Sequence, residues 1–231
     1  MQKGAIFIQP HSDDTVMSSY FLIKTEILPR PYYLLTVFGQ SNWIDPIKRR
    51  GYRYTQNKNQ TAITHLRKNE DRRFAKSLGF TLVFYNLKDC LLRNKEVFFQ
   101  PNKKLDTDLV TRVNKIINTS IRKYKAQNVV APFPFGVKQH YDHRVVREAV
   151  KSLPATLCNL FFVDDIPYSR IRNQKKNGLS LFARLRVVDA DGKVRAMKMY
   201  NSQMCKLFLS QAQKIAKQNH GYERVFTLIK K

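Results

Sequence analysis

Short β-branched and aromatic runs alternate with longer amphipathic segments along most of this 231-residue chain. The short runs predict strands and the amphipathic segments predict helices, because a strand repeats its buried face about every 2 residues and a helix about every 3.6. Alternation of the two is typical of βαβ units, in which helices cover both faces of a parallel sheet. The order of segments therefore predicts an α/β fold.

Turn residues and helix caps indicate where these elements begin and end. The clearest strand, residues 32–38, is closed by Gly39, and the helix 66–78 ends at Gly79, where a left-handed conformation is expected. Residues 40–64 are polar and basic and predict a long loop. We predict strands at 5–9, 32–38, 80–85, 129–131, 157–163 and 184–188, and helices at 16–27, 66–78, 106–125, 144–153 and 194–217.

Charge is the unusual feature of the composition. Lys and Arg number 42 against 17 Asp and Glu, which gives a net charge of +25. Such a surface attracts anions, so an anionic substrate or contact with an anionic membrane surface would account for it, as would a coat that keeps the protein soluble. The basic residues are dispersed and no nucleic-acid-binding motif is apparent, so we expect no specific nucleic acid partner. A non-catalytic, basic nucleic-acid-binding protein is the alternative hypothesis.

The cysteines and the apolar segments bear on the cellular compartment. Cys90, Cys158 and Cys205 are far apart and form no CxxC pair, so neither a disulfide framework nor a cysteine zinc site is indicated. We expect buried free thiols in a reducing compartment. The first apolar run is too short for a signal peptide, and no stretch approaches the roughly 20 apolar residues of a membrane span. These features predict a cytoplasmic protein.

Two motifs that combine histidine with aspartate follow predicted strands. Residues 11–14 read His-Ser-Asp-Asp and residues 140–143 read His-Tyr-Asp-His. In open α/β sheets the carboxyl ends of the strands form one rim, so we expect the two motifs to converge there. Two histidines and one carboxylate are a familiar hydrolytic zinc set that leaves a coordination position open. The same set also fits a non-haem iron enzyme, which stays open as a second alternative.

The ordered motifs resemble the LmbE-like or PIG-L-type zinc deacetylases. That family carries Pro/Ala-His-Pro-Asp-Asp-Glu, then Arg-x-x-Glu opening a helix that ends in Leu-Gly, then His-x-Asp-His. Here residues 10–15 read Pro-His-Ser-Asp-Asp-Thr, residues 67–70 read Arg-Lys-Asn-Glu, and residues 140–143 supply the third motif. Lys193 with Ser202-Gln203 resembles the family's Lys…Ser-Gln helix, and Asp89 fits its aspartate after the third strand. The resemblance spans residues 5 to about 226.

This resemblance implies a Rossmann-like three-layer sandwich with a mostly parallel central sheet, formed by one domain over residues 1–231. It implies a zinc-dependent hydrolase that removes an N-acetyl group from an N-acetylglucosamine-type substrate, which is an amino-sugar-containing small molecule or a glycoconjugate.

The implied Zn²⁺ ligands are His11, Asp14 and His143. Asp13 would be the general base, while His140, oriented by Asp142, would stabilise the oxyanion and protonate the leaving amine. Arg67 and Asp89 would contact sugar hydroxyls. Ser12 and Thr15 depart from the family pattern, which has Pro and Glu there.

Overall fold

The computed structural model describes residues 4–44, 60–94, 100, 102–136, 139–168, 170–172, 174–186, 189–204, 209–210 and 222–229. The strands of this part are β1 (Ala5–Gln9), β2 (Tyr32–Thr36), β3 (Phe80–Phe84), β4 (Asn128–Phe133), β5 (Asn159–Asp164), β6 (Leu179–Arg186) and β7 (Tyr222–Leu228). They form one sheet in the order β3-β2-β1-β4-β5-β7-β6. Strands β1 to β5 are parallel, and β7 is antiparallel to both β5 and β6. The predicted mostly parallel sheet is confirmed.

Helices cover both faces of the sheet. The described helices are α1 (Asp14–Thr25), α2 (Gln60–Leu78), α3 (Cys90–Asn94), α4 (Thr107–Tyr124), α5 (Tyr141–Lys151) and α6 (Ala190–Met197), with a short 3₁₀ turn at Gln174–Asn177. Side chains of α1, α2 and α6 form one apolar cluster, and those of α3, α4 and α5 form another. Strand β1 contributes Ala5 and Phe7 to the first cluster and Ile6 and Ile8 to the second. This alternation gives the three layers expected from the sequence.

Several element boundaries differ from the prediction. Helix α2 begins at Gln60, so the loop predicted to reach residue 64 ends earlier. Helix α5 begins at Tyr141 rather than residue 144, because His140 caps it by accepting a hydrogen bond from the backbone N–H of Asp142. Helix α1 begins at Asp14, and β6 begins at Leu179 instead of residue 184.

The C-terminal region differs most from expectation. The helix predicted at 194–217 is not continuous: α6 begins at Ala190 and ends at Met197, turns follow it up to residue 203, and residues 209–210 are helical again. Strand β7 was not predicted at all. The basic residues of the predicted loop (Lys48, Arg49, Arg50, Arg53 and Lys58) and Cys205 lie outside the described residues.

Other local predictions are confirmed. Gly79 follows α2 with a left-handed φ of 70°, and Cys90 and Cys158 are buried free thiols. No helix in the described ranges has the length and apolar character that a membrane span would need.

The strand order creates a crevice between β1 and β4. After β1 the chain passes to α1 on one face of the sheet, and after β4 it passes to α5 on the opposite face. The two connections therefore diverge at the carboxyl ends of neighbouring parallel strands, which is where open α/β sheets bind their ligands. Both His/Asp motifs lie in these connections.

Candidate active site

The turn between β1 and α1 presents His11, Asp13 and Asp14. Asp13 occupies the position before α1 with a positive φ of 97°, and its side chain makes no capping hydrogen bond to the helix. Its carboxylate instead lies at the crevice, 3.9 Å from a guanidinium nitrogen of Arg67. Capping of α1 therefore does not explain the aspartate at this position.

Three donor atoms from the two motifs form a compact triangle. Nδ1 of His11 lies 3.2 Å from Nε2 of His143, and Oδ2 of Asp14 lies 3.6 Å from the first and 3.4 Å from the second. Ligand atoms placed about 2.0–2.2 Å from a tetrahedrally coordinated zinc ion lie about 3.3–3.6 Å from one another. All three side chains are buried or nearly so. The donor set and its spacing therefore fit a zinc ion.

The second ring nitrogen of each of these histidines faces another carboxylate. Nε2 of His11 lies 2.9 Å from Oδ2 of Asp142, and Nδ1 of His143 lies 2.7 Å from Oδ1 of Asp165. Such carboxylate contacts fix the ring orientation of metal-binding histidines and make them better ligands. Asp142 was expected to orient His140; its backbone N–H contacts that ring, while its carboxylate contacts His11. Asp165 lies outside both His/Asp motifs, directly after β5.

His140 lies beside the triangle, with a nitrogen close enough to those of His11 and His143 for the three to form an alternative ligand group. Its Nδ1 accepts a hydrogen bond from the backbone N–H of Asp142 at 3.2 Å. The proton of the neutral ring therefore lies on Nε2, which makes this nitrogen a donor. Asp14 offers an anionic oxygen instead, so Asp14 fits the third ligand position better than His140 does.

The electrostatics of this cluster favour a bound cation. Burial opposes the charged form of His11, but hydrogen bonds to Asp14 and Asp142 outweigh it and raise the pKa of His11 to about 10. The pKa of His143 is also raised, because Asp14 and Asp165 outweigh the effect of burial. The pKa of Asp14 is lowered despite burial, mainly by the charge of His143. The buried carboxylates thus stabilise positive charge at the point where the three donor atoms meet.

A cavity of about 250 Å³ opens next to the triangle. It brings together most residues that the sequence assigned to catalysis or substrate binding, and it adds others. Its walls are His11, Asp13, Asp14, Trp43, Arg67, Asp89, Cys90, His140, Tyr168 and Gln203. Trp43 and Tyr168 give it aromatic surfaces. Nothing in the two motifs could have pointed to Cys90 or Tyr168, since both lie far from them in sequence.

The residues expected to contact sugar hydroxyls also have structural partners. Arg67 donates to the hydroxyl of Ser41 at 2.9 Å and to the carbonyl of Ser12 at 3.2 Å. Asp89 accepts from the backbone N–H of Leu92 at 3.0 Å and so caps α3. Both nevertheless line the cavity. Their positions are therefore fixed by the protein while part of each side chain faces the space for a ligand.

The spacing of the Arg-x-x-Glu motif has a structural reason. Three residues after Arg67, the carboxylate of Glu70 accepts from both the backbone N–H and the hydroxyl of Ser202, at 2.7 and 2.6 Å. The next residue, Gln203, lines the cavity and donates to the carbonyl of Trp43 at 3.2 Å. One turn of α2 thus places Arg67 at the site and fixes the segment that carries Gln203.

The chain is similar to known proteins in sequence and in fold. The sequence profile of the family described as PIG-L, GlcNAc-PI de-N-acetylase, matches residues 6–153. The 2'-N-acetylparomamine deacetylase of Streptomyces fradiae is 29% identical over 224 residues, covering 88% of this chain and 75% of that protein. A triple mutant of a deacetylase from the teicoplanin biosynthetic pathway shares the fold with a TM-score of 0.73 at 20% identity, over 99% of both chains. The N,N'-diacetylchitobiose deacetylase of Pyrococcus horikoshii aligns with a TM-score of 0.66 at 18% identity, over 98% of this chain and 83% of that one.

Proposed function

Since the chain belongs to the PIG-L (GlcNAc-PI de-N-acetylase) family, we propose that it is a zinc-dependent hydrolase that removes the acetyl group from an N-acetylglucosamine-type sugar conjugate. The observation that carries this proposal is the triangle of His11 Nδ1, Asp14 Oδ2 and His143 Nε2, with the Asp13 carboxylate beside it. The relative from Streptomyces fradiae, which is named for an N-acetylated amino sugar, supports the substrate class. We further propose that residues 1–231 act as one domain, since β7 joins the C-terminal region to the central sheet.

His11, Asp14 and His143 would hold the zinc ion in this proposal. When bound, zinc supplies a Lewis acid for the amide carbonyl and lowers the pKa of a water molecule. The protein's own contribution is to orient the two histidines through Asp142 and Asp165, as described above, and to supply groups that move protons.

Asp13 acts as the general base. Burial and the neighbouring charge of Asp14 raise the pKa of its carboxyl group, while Arg67 opposes the shift. A carboxylate with a raised pKa accepts a proton more readily, which suits it to deprotonate the attacking water. The proton that Asp13 takes up is then available to the leaving amine, which needs one before the C–N bond breaks.

His140 stabilises the oxyanion by hydrogen bonding. Burial and the nearby His11 and His143 lower the pKa of His140, so its ring is neutral with the proton on Nε2. This N–H can donate to the amide oxygen as negative charge develops there. A neutral imidazole donates a hydrogen bond more readily than it gives up its proton. We therefore assign the protonation of the amine to Asp13, in place of the role that the family resemblance implied for His140.

The cavity walls supply the sugar contacts. Arg67 and Asp89 offer a fixed donor and a fixed acceptor for hydroxyl groups, and Trp43 offers an apolar surface. In this proposal they orient the amino sugar so that its acetamido group reaches Asp13 and His140.

Metal content and acetate release test the proposed function together. We expect about one zinc per chain after zinc is supplied, and release of acetate from N-acetylglucosamine conjugates. His143→Ala should lose both metal and activity, whereas His65→Ala, on the exposed side of α2, should keep both. Metal analysis after anaerobic purification distinguishes zinc from iron. A protein that binds no transition metal, or a His143→Ala variant that still deacetylates, would contradict the proposal.

A further inference from the structure

A buried carboxylate with no part in the proposed chemistry lies beneath the turn that carries Asp13. Asp71 of α2 has no exposed surface. Its Oδ2 accepts hydrogen bonds from the hydroxyls of Ser12 and Thr36 at 2.9 and 2.7 Å, and its Oδ1 accepts one from Nε2 of Gln9 at 2.9 Å. Gln9 and Thr36 are the last residues of β1 and β2. Asp71 therefore fastens α2 to two strand ends and to the turn that follows β1.

The backbone at Asp13 needs such an anchor. Its φ of 97° with ψ of −22° lies where residues with a side chain are rarely found. Rotation of the peptide plane between Ser12 and Asp13 is the direct way to leave this conformation, because it changes φ of Asp13. Ser12 is held from two sides against that rotation: Arg67 donates to its carbonyl at 3.2 Å, and Asp71 accepts from its hydroxyl.

We propose that Asp71 is a positioning residue that acts through Ser12 to keep the Asp13 carboxylate directed into the cavity. This inference rests on the proposed function, in which Asp13 is the base. In the family pattern a proline stands at position 12, and its ring restricts the backbone without any partner. A proline ring fixes φ of residue 12 and has no hydroxyl for Asp71, whereas in this chain Ser12 is held through the hydrogen bond from its hydroxyl to Asp71.

A matched pair of variants separates positioning from general stability. Ser12→Ala and Thr36→Val each remove one hydroxyl from Oδ2 of Asp71, but only the first releases the turn. We expect kcat of Ser12→Ala to fall about 10- to 100-fold, because small misplacements of a catalytic group are costly, with KM and zinc content little changed. Thr36→Val should keep kcat within about threefold of the parent, since the hydroxyl of Thr36 bonds Gln9 and Asp71 and its loss leaves the hydrogen bond from Ser12 to Asp71 in place.

Amide hydrogen exchange provides a readout that does not depend on activity. Ser12→Ala should speed exchange within residues 11–15 in the folded protein, and Thr36→Val should not. If the parent protein releases no acetate, the proposed function fails, while the exchange rates still decide whether Asp71 restrains the turn. Equal exchange and equal kcat in the two variants would overturn the inference.

A double-mutant cycle tests the link to position 12. Asp71→Asn should lower kcat about 10- to 100-fold in the parent, the same loss that is expected for Ser12→Ala. In a Ser12→Pro background the same substitution should lower kcat about threefold or less, because proline has no hydroxyl to form the hydrogen bond with Asp71. A loss of the same size in both backgrounds would overturn the inference, since Asp71 would then act independently of Ser12.

Discussion

Each histidine of the proposed metal triangle has a buried carboxylate on its other ring nitrogen. The sequence motifs supplied the histidines and Asp142, because their order and spacing match a family pattern. They could not supply Asp165 or the partner of Asp142, because these contacts join segments that only the folded sheet brings together. His143 and Asp165 lie 22 residues apart, and His11 and Asp142 lie 131 residues apart. The residues proposed as metal ligands could therefore be named from the sequence, whereas the carboxylates that contact their other ring nitrogens could not be paired with them.

Asp165→Asn tests the support of His143. The amide is a weaker acceptor than the carboxylate, so we expect zinc affinity to fall about 10- to 100-fold. Competition with a chelator of known affinity measures the change. Asp108→Asn removes the same charge from the exposed first turn of α4 and should leave zinc affinity unchanged. Identical affinities in the two variants would mean that Asp165 does not support the ligand.

Asp13→Asn tests the proposed base. The amide cannot take a proton from water, so kcat should fall about 10²- to 10⁴-fold. Zinc content should remain at the parental level, since Asp13 is not one of the three triangle residues. Asp14→Asn is the comparison, because it should lose zinc as well as turnover. Activity of Asp13→Asn within a few-fold of the parent would show that another group is the base.

At the level of elements, periodicity predicted the first five strands to within a few residues. Strands β1, β2, β4 and β5 consist largely of buried residues in parallel pairing, so their pattern depends little on the rest of the chain, and the edge strand β3 keeps an apolar run although only Phe80 is buried. Strand β7 escaped prediction because it enters the sheet antiparallel between β5 and β6, and one of its residues, Glu223, is a buried carboxylate. The partner of Glu223 is Lys193 of α6, at 2.5 Å. A buried ion pair of this kind cannot be predicted from the alternation of apolar and polar residues along a strand.

Lys193→Met tests what this pair does for the fold. Nζ of Lys193 also donates to the carbonyl of Met17 at 2.7 Å, so one ammonium group joins α6, α1 and β7. Its removal leaves Glu223 buried without its cation, which should cost about 3–5 kcal/mol in the free energy of unfolding. Urea unfolding measures the loss. Lys198→Met, at the exposed end of α6, should change the free energy of unfolding little. Adding Glu223→Gln to Lys193→Met should recover part of the lost stability. Similar losses for the two lysine variants would rule out a special role for Lys193.

At the scale of the whole molecule, the net charge of +25 is the property that the fold does not explain. If the natural substrate is anionic, kcat/KM should fall steeply from low to high salt, because salt screens long-range attraction. A neutral N-acetylglucosamine glycoside should show little change over the same range. Neutralising Lys48, Arg49 and Arg50 together should lower kcat/KM only for the anionic substrate and should leave zinc content intact. These residues lie outside the described part of the chain. Equal salt curves for both substrates would instead favour a role in solubility.

The crevice between β1 and β4 has a consequence for how the molecule is made. His11 and His143 are 132 residues apart, and they meet only after β4 has paired with β1. In the proposed zinc site, a growing chain therefore presents His11 and Asp14 before His143 has been synthesised, so only two of the three proposed ligands are then available. Binding then adds free energy only to the state in which the crossover is complete. Metal uptake would thus report the end of folding, and a chain that stalls before β4 docks would gain nothing from zinc in its surroundings.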